Sequence, residues 1–319
     1  MGASAAWGVV MAINPTANRL FDAQEIVVPD PLIFRQCYNR KRFYFAHSIH
    51  ENPLFALDQL AELVCREPEL TKSAYCSCAD AKVTDSWATG QQAPQTLRRV
   101  LDAIATNNSL ILLRHVERSA ILGPILHTLM DHVVALVGPG MRSDVIESRA
   151  TLLIASPRRV TSYHMDSNTN YLFQLHGDKR LSVFDRAVVT AEELEGYYGG
   201  DLSAAKYNPE RQGDAEVFEL HAGSAVHVPS LAPHWAQNLD SVSIALSINF
   251  DLRSIEQAGR IYRLNGRLRR LGLSPQAPGR SPWRDEIKLG MSNLKLGMNS
   301  INHSVSRWTR PLEAPADRD

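Results

Sequence analysis

The stretch TSYHMDSNTNYLFQLHGDKR, residues 161–180, decides the reading of this chain. His164 and Asp166 are separated by one residue. In a β-strand, residues i and i+2 point to the same face, so an imidazole and a carboxylate here converge on one point. They supply two legs of a 2-His-1-carboxylate facial triad, which holds a non-haem iron and leaves its other positions open. H-x-D alone is a weak motif, and a third ligand must come from elsewhere.

GSAVHVPSLAPHWAQN, residues 223–238, offers it. His234 follows Gly223 and Pro229 and precedes Asn238. The register is similar to the second motif of the cupin superfamily, G-x5-P-x-G-x2-H-x3-N, with Leu231 in place of the inner glycine. His227 competes as ligand, but the Pro-to-His spacing favours His234, and His227 reads as a satisfied core or pocket-rim histidine. His176 and His221 read as strand-end surface residues.

The surrounding sequence has the texture such a site needs. From about residue 145, short runs rich in β-branched and aromatic residues alternate with turns: RATLLIAS (149–156), NYLFQLHG (170–177), KRLSVFD (179–185), AEVFELHAG (215–223), SAVHVPS (224–230) and SVSIALSINF (241–250). Strands at that spacing predict an antiparallel sandwich or barrel. An insertion at 190–213 interrupts them, with a short helix capped by Thr190 and Glu193.

Before the strands, helices are expected over 53–66, 95–106 and 121–138, a buried strand over 110–116, and loop over 71–95. After Phe250, Ser254 and Gln257 have capping-box spacing. Ile261, Leu264, Leu268 and Leu271 then run to Gly272 and Pro275, a stop signal. A further helix starts at Ser281-Pro282. The layout expected is a mostly helical flank (1–144), a β core (145–252) and a C-terminal helical region (253–319), the last dozen residues being disordered.

The combined spacing resembles the JmjC-type hydroxylases, asparaginyl hydroxylases among them, and more loosely the bacterial cupin-like jumonji proteins. In that family a threonine three before the first histidine and a lysine fifteen after it bind the distal carboxylate of 2-oxoglutarate. Those positions are Thr161 and Lys179. Asparagines lie six after the first histidine and fifteen after the second, here Asn170 and Asn249.

The resemblance spans 161–250. It implies a mixed α/β chain with an all-β core: a double-stranded β-helix (jelly roll, cupin-like) flanked by N- and C-terminal helices. It also implies Fe(II), with 2-oxoglutarate and O₂ as cosubstrates, and hydroxylation of a protein or peptide side chain or a small molecule. Two other classes compete. One is a catalytically inactive cupin-like metal-binding regulatory protein. The other is a Zn²⁺- or Mn²⁺-dependent isomerase or hydrolase on the same barrel.

Lys179 separates the classes. It follows the Gly177-Asp178 turn and begins an apolar strand, so it is either an exposed hairpin edge or an anchor for an acid. Lysine is rarely buried unpaired. Asn170 and Asn249 have a bland reading too, as groups satisfying buried backbone, and Gln174 contacts substrate or faces a polar interior.

Composition narrows the partners. The 34 basic and 34 acidic residues cancel, so no overall field argues for nucleic acid or an anionic membrane. The arginine stripe Arg260, Arg263, Arg267 and Arg270 reads as a solvated helix face. The opposite apolar face is a candidate homodimer contact, as the resemblance implies. Cys37, Cys65, Cys76 and Cys78 lack a zinc-type spacing and read as reduced thiols of a cytoplasmic protein. No apolar run is long enough for a membrane helix, and the N-terminus lacks the basic region of a signal peptide. Met11 is an alternative start.

Overall fold

The computed structural model describes residues 27–28, 30–72, 74–77, 80–85 and 97–296. Twelve strands are present among them: β1 (Val27–Val28), β2 (Phe43–His47), β3 (Tyr75–Ser77), β4 (Leu110–Arg114), β5 (Val145–Ala155), β6 (Val160–His164), β7 (Thr169–His176), β8 (Lys179–Val183), β9 (Glu216–Leu220), β10 (Ser224–Val228), β11 (His234–Asn238) and β12 (Ser243–Leu252). The helices are α1 (Pro31–Cys37), α2 (Leu57–Arg66), α3 (Pro68–Lys72), α4 (Leu97–Asp102), α5 (Gly123–Val137), α6 (Pro139–Asp144), α7 (Ala191–Gly199), α8 (Arg253–Arg270) and α9 (Pro282–Leu296).

The strands form two sheets, and every pairing is antiparallel. The large sheet has the order β1-β2-β10-β7-β12-β5-β4-β3 and the small one β6-β11-β8-β9. Leu172, Val226, Val228 and Ala245 of the large sheet pack on Leu181, Val183 and Ala236 of the small one, filling the barrel. The outer face of the large sheet buries Tyr171, Phe173 and Ile248 with residues of α1, α2 and α5, including Phe34, Leu60 and Leu126. The run NYLFQL does not alternate in polarity because β7 is buried on both faces.

The expected helices are present, with Asn52 capping the turn before α2 and Thr190 and Glu193 closing a capping box on α7. Three details differ. Part of the segment expected as loop is ordered as α3 and β3, because Tyr75–Ser77 pairs with Leu110–Leu112 at the sheet edge. Ser254 does not cap α8. That helix starts directly from β12, and the Ser254 N–H and hydroxyl both donate to the Asp144 carboxylate, at 2.8 and 2.6 Å. The insertion covers the outer face of the small sheet, where Gln212 Oε1 accepts from Trp235 Nε1 and the Tyr207 hydroxyl. The stop of α8 is as expected, with Gly272 at φ +81°. Cys78, the N-terminal residues 1–26 and the last dozen residues lie outside the described residues.

Candidate active site

A candidate metal centre lies where β6 and β11 pair. His164 lies directly opposite His234, and Asp166 follows β6 by two residues. The donor atoms of His164, Asp166 and His234 lie within 4.8 Å of one another. His164 Nε2 is 3.7 Å and His234 Nε2 4.0 Å from Asp166 Oδ2.

Both rings are oriented in the same way. Nδ1 of His164 donates to the Ser162 carbonyl at 2.7 Å, and Nδ1 of His234 to the Ala232 carbonyl at 3.0 Å. A carbonyl only accepts, so Nδ1 carries the proton and Nε2 presents its lone pair to the site. Burial, with His164 alongside, lowers the His234 pKa to about 4, which leaves that ring neutral and ready to ligate at neutral pH. Two imidazoles and one carboxylate, already converged, fit a divalent ion with open positions.

The motif's departure at Leu231 has a structural answer. Leu231 sits at φ +62°, the left-handed conformation that glycine would adopt freely. Its N–H donates to the Asp166 carbonyl at 2.7 Å, and its side chain is buried with Met165, Tyr197 and Tyr198. Those contacts offset the backbone strain and fix the loop that carries Asp166. Burial and the negative charge of Asp166 hold the Tyr197 phenol well above its usual pKa. Nothing in the sequence marked Tyr197 as a neighbour of the candidate metal site, and Leu231 stood out only as a departure from the motif.

Thr161 shares the face of His164 through an irregularity. Thr161 lies three positions before His164, but their partners Ala236 and His234 are two apart, so β6 carries a bulge. The extra residue turns Thr161 back to the inner face. On β8, Val183 lies opposite His234, Leu181 opposite Ala236 and Lys179 opposite Asn238. His234, Thr161 and Lys179 therefore mark three successive depths of one wall. Lys179 lies about 13 Å of strand from Val183.

The exposed reading of Lys179 fails. Its side chain is buried, at 4% exposure, and burial lowers its pKa to about 8. Among the described residues no acid or hydrogen-bond acceptor is paired with it.

Asn170 and Asn249 lie directly opposite each other on the other wall. Asn170 Nδ2 donates to Asn249 Oδ1 at 2.7 Å and to Ser247 Oγ; Asn249 Nδ2 donates to the same Oγ. They satisfy each other rather than backbone groups. At the mouth, Arg149 pairs with Asp251 at 2.5 Å, a contact that neither residue's sequence context suggested.

His227 is excluded as a ligand. It is on the core face of the large sheet, fully buried against Phe43 and Tyr171, with Nε2 bonded to Thr169 Oγ1 and Nδ1 to the Lys41 carbonyl. His176 and His221 are exposed. Gln174 holds the Gly177 turn, donating to the His176 and Gly177 carbonyls and to Ser243 Oγ.

No family model matches the chain, and no curated protein matches it. Solved structures do. Escherichia coli YcfD aligns with 14% identity over 88% of this chain and 70% of its own, at a TM-score of 0.50. A structure of that ribosomal oxygenase with cobalt and 2-oxoglutarate aligns with 14% identity over 89% and 69%, at 0.47. Bacillus subtilis oxalate decarboxylase aligns with 13% identity over 46% and 26%, at 0.26. At such identities the likeness is one of architecture: this chain has the double-stranded β-helix of the JmjC and cupin proteins.

Proposed function

We propose that this chain is an Fe(II)- and 2-oxoglutarate-dependent oxygenase that hydroxylates a protein or peptide side chain or a small molecule. The observation that carries the proposal is Lys179. A buried ammonium without a counter-charge is unfavourable, and here it lies on the same wall as a three-donor metal site. A small dicarboxylate bridging the two explains both. In an isomerase or hydrolase on the same barrel that ammonium would have no carboxylate partner.

His164, Asp166 and His234 would hold the iron, and the Nδ1 hydrogen bonds of the two histidines fix their ring directions. Lys179 and the Thr161 hydroxyl bind the distal carboxylate of 2-oxoglutarate, an ion pair and a hydrogen bond that orient its 2-oxo acid end towards the triad. Asn170 and Asn249 line the opposite wall. Met165, Leu231 and Tyr197 pack around the Asp166 loop and exclude water. When bound, the iron supplies the redox centre at which O₂ reacts. The balance is substrate C–H, 2-oxoglutarate and O₂ going to C–OH, succinate and CO₂.

Anaerobic titration of the Fe(II) protein with 2-oxoglutarate tests the proposal. A metal-to-ligand charge-transfer band is expected, and it is absent in His164→Ala. Tight Zn²⁺ binding with no band in the Fe(II) protein would refute the oxygenase function.

A cytoplasmic location accords with Cys37, Cys65 and Cys76, which are free thiols among the described residues. Among the described residues no helix is long and apolar enough to cross a membrane. Trp283, Ile287 and Met291, spaced by four along α9, are exposed and form one apolar stripe. We infer that two copies pair through these C-terminal helices. Sedimentation of the full chain is expected to give a dimer that Trp283→Ser shifts to monomer; a monomeric parent protein would end that inference.

A further inference from the structure

Among the three candidate donors, Asp166 differs in what holds it. His164 and His234 sit opposite each other on paired strands, and each ring is tied to a backbone carbonyl. Asp166 lies in the loop between β6, which ends at His164, and β7, which begins at Thr169. Loops are more mobile than the elements they join, so the direction of this carboxylate depends on what clamps the backbone there.

Two clamps are present. The Leu231 N–H donates to the Asp166 carbonyl at 2.7 Å. The other comes from the 190–213 insertion. The Tyr197 hydroxyl accepts from the Ser167 N–H and is also hydrogen-bonded to the Ser167 side chain, one residue beyond Asp166. Tyr197 is 8% exposed and packs with Met165, one residue before Asp166, and with Leu231. It therefore grips the loop on both sides of the carboxylate, and the charge of Asp166 reaches the phenol more strongly than that of Asp251.

Helix α7, which carries Tyr197, is in turn fixed by α8 of the C-terminal region. The Tyr198 ring stacks on Tyr262, with centroids 5.8 Å apart and planes 1° from parallel. That approach depends on Gly259, where a Cβ would fall 2.3 Å from Tyr198 Cε1. Glu195 is buried and accepts two bonds from the Arg269 guanidinium, at 2.7 and 3.0 Å. Arg263 Nε donates to the Tyr198 carbonyl at 3.1 Å. Glu195 and Tyr198, three apart, share the helix face turned to α8, and Tyr197, off that face, meets the loop. Helix α8 itself continues directly from β12, the strand of Asn249.

Resting on the metal site of the oxygenase function proposed above, we propose that Tyr197 is a positioning residue for the Asp166 carboxylate, held in place by the contact of α7 with α8. Through Ser167 its hydroxyl fixes the backbone from which the carboxylate projects. The two histidines keep their directions without it, because their own strands and carbonyls hold them. The C-terminal helix α8 thereby contributes to the metal site through a helix of the insertion.

Mn(II) titration calorimetry of the full chain, the visible spectrum of the Co(II)-loaded protein and the melting temperature of the metal-free protein test this. Tyr197→Phe removes one oxygen and keeps the packing of the ring. It is expected to bind Mn(II) about tenfold or more weakly, the usual cost of losing an outer hydrogen bond of a metal site, and to shift the Co(II) ligand-field bands, which report coordination geometry. Gly259→Ala changes no residue of the loop. By displacing the Tyr198 ring it is expected to shift the same bands in the same direction. Parent bands in Tyr197→Phe overturn the proposal whether affinity holds or falls, since a loss of affinity in step with a lower metal-free melting temperature is what a merely structural role would give. Parent bands in Gly259→Ala overturn the part assigned to α8. A parent protein that binds neither Mn(II) nor Co(II) refutes the metal site, and the oxygenase function with it, before any variant is compared.

Discussion

Replacing Lys179 with methionine is expected to weaken 2-oxoglutarate binding by about ten- to a hundredfold or more, and at the same time to stabilise the ligand-free protein. The two effects have one origin. Burial depresses the Lys179 pKa from 10.5 to about 8, so at neutral pH the folded protein carries an ammonium that water would solvate better. That difference corresponds to about 3 kcal/mol, which an apolar side chain of similar length does not forfeit.

The sign follows from proton counting. Between about pH 8 and 10.5 the unfolded chain holds the proton and the folded chain does not, so the parent protein gains stability as pH rises through that window. The methionine variant lacks this gain. Cosubstrate binding runs the other way: the carboxylate pairs with the ammonium, so affinity falls above pH 8, by about tenfold per unit once the free amine dominates. Denaturant melts of the ligand-free protein and titrations with 2-oxoglutarate at pH 7 and 9 measure both. Unchanged affinity in the variant would mean that another residue anchors the acid.

The convergence of His164, Asp166 and His234 was the legible part of this candidate site, and the reason is local geometry. H-x-D in a strand needs only the two-residue period to bring its side chains together, and His234 follows from a motif with a fixed register. Thr161 was reachable only through the family resemblance. Three residues before His164 is the wrong face of a regular strand, and nothing in VTSYH announces the bulge that corrects it. Lys179 was ambiguous because a lysine beside a hairpin turn is ordinarily solvated. Only the pairing of β8 with β11 and β9 encloses it.

Elsewhere, tertiary contacts overrode local signals. Ser254 and Gln257 have the spacing of a capping box, yet the Asp144 carboxylate takes the Ser254 donors. Tyr75–Ser77 lies in a polar stretch and becomes a strand because β4 offers it a free edge. Leu231 stands where the motif has glycine, tolerated because burial and the hydrogen bond to Asp166 offset its left-handed backbone.

Asp166→Ala is expected to abolish turnover and to weaken Mn(II) or Fe(II) binding by at least about a hundredfold, a loss of about 2.7 kcal/mol or more. Asp166 is the one carboxylate donor of the set, and its removal leaves two imidazole rings facing each other at a ring-centroid distance of 4.2 Å. A hard divalent ion gains little from them without a carboxylate. The fold should survive, because the Asp166 contact that secures the loop is its backbone carbonyl, which the variant keeps. Thermal unfolding separates the two effects. Ligand at a thousand times its dissociation constant adds about 4 kcal/mol to a folded protein. The parent protein should therefore melt several degrees higher with saturating Mn(II), whereas Asp166→Ala, folded and melting like the metal-free parent, should show no rise at the same concentration. A variant that still gains the full shift would place the ion elsewhere, and with it the chemistry assigned to this end of the barrel.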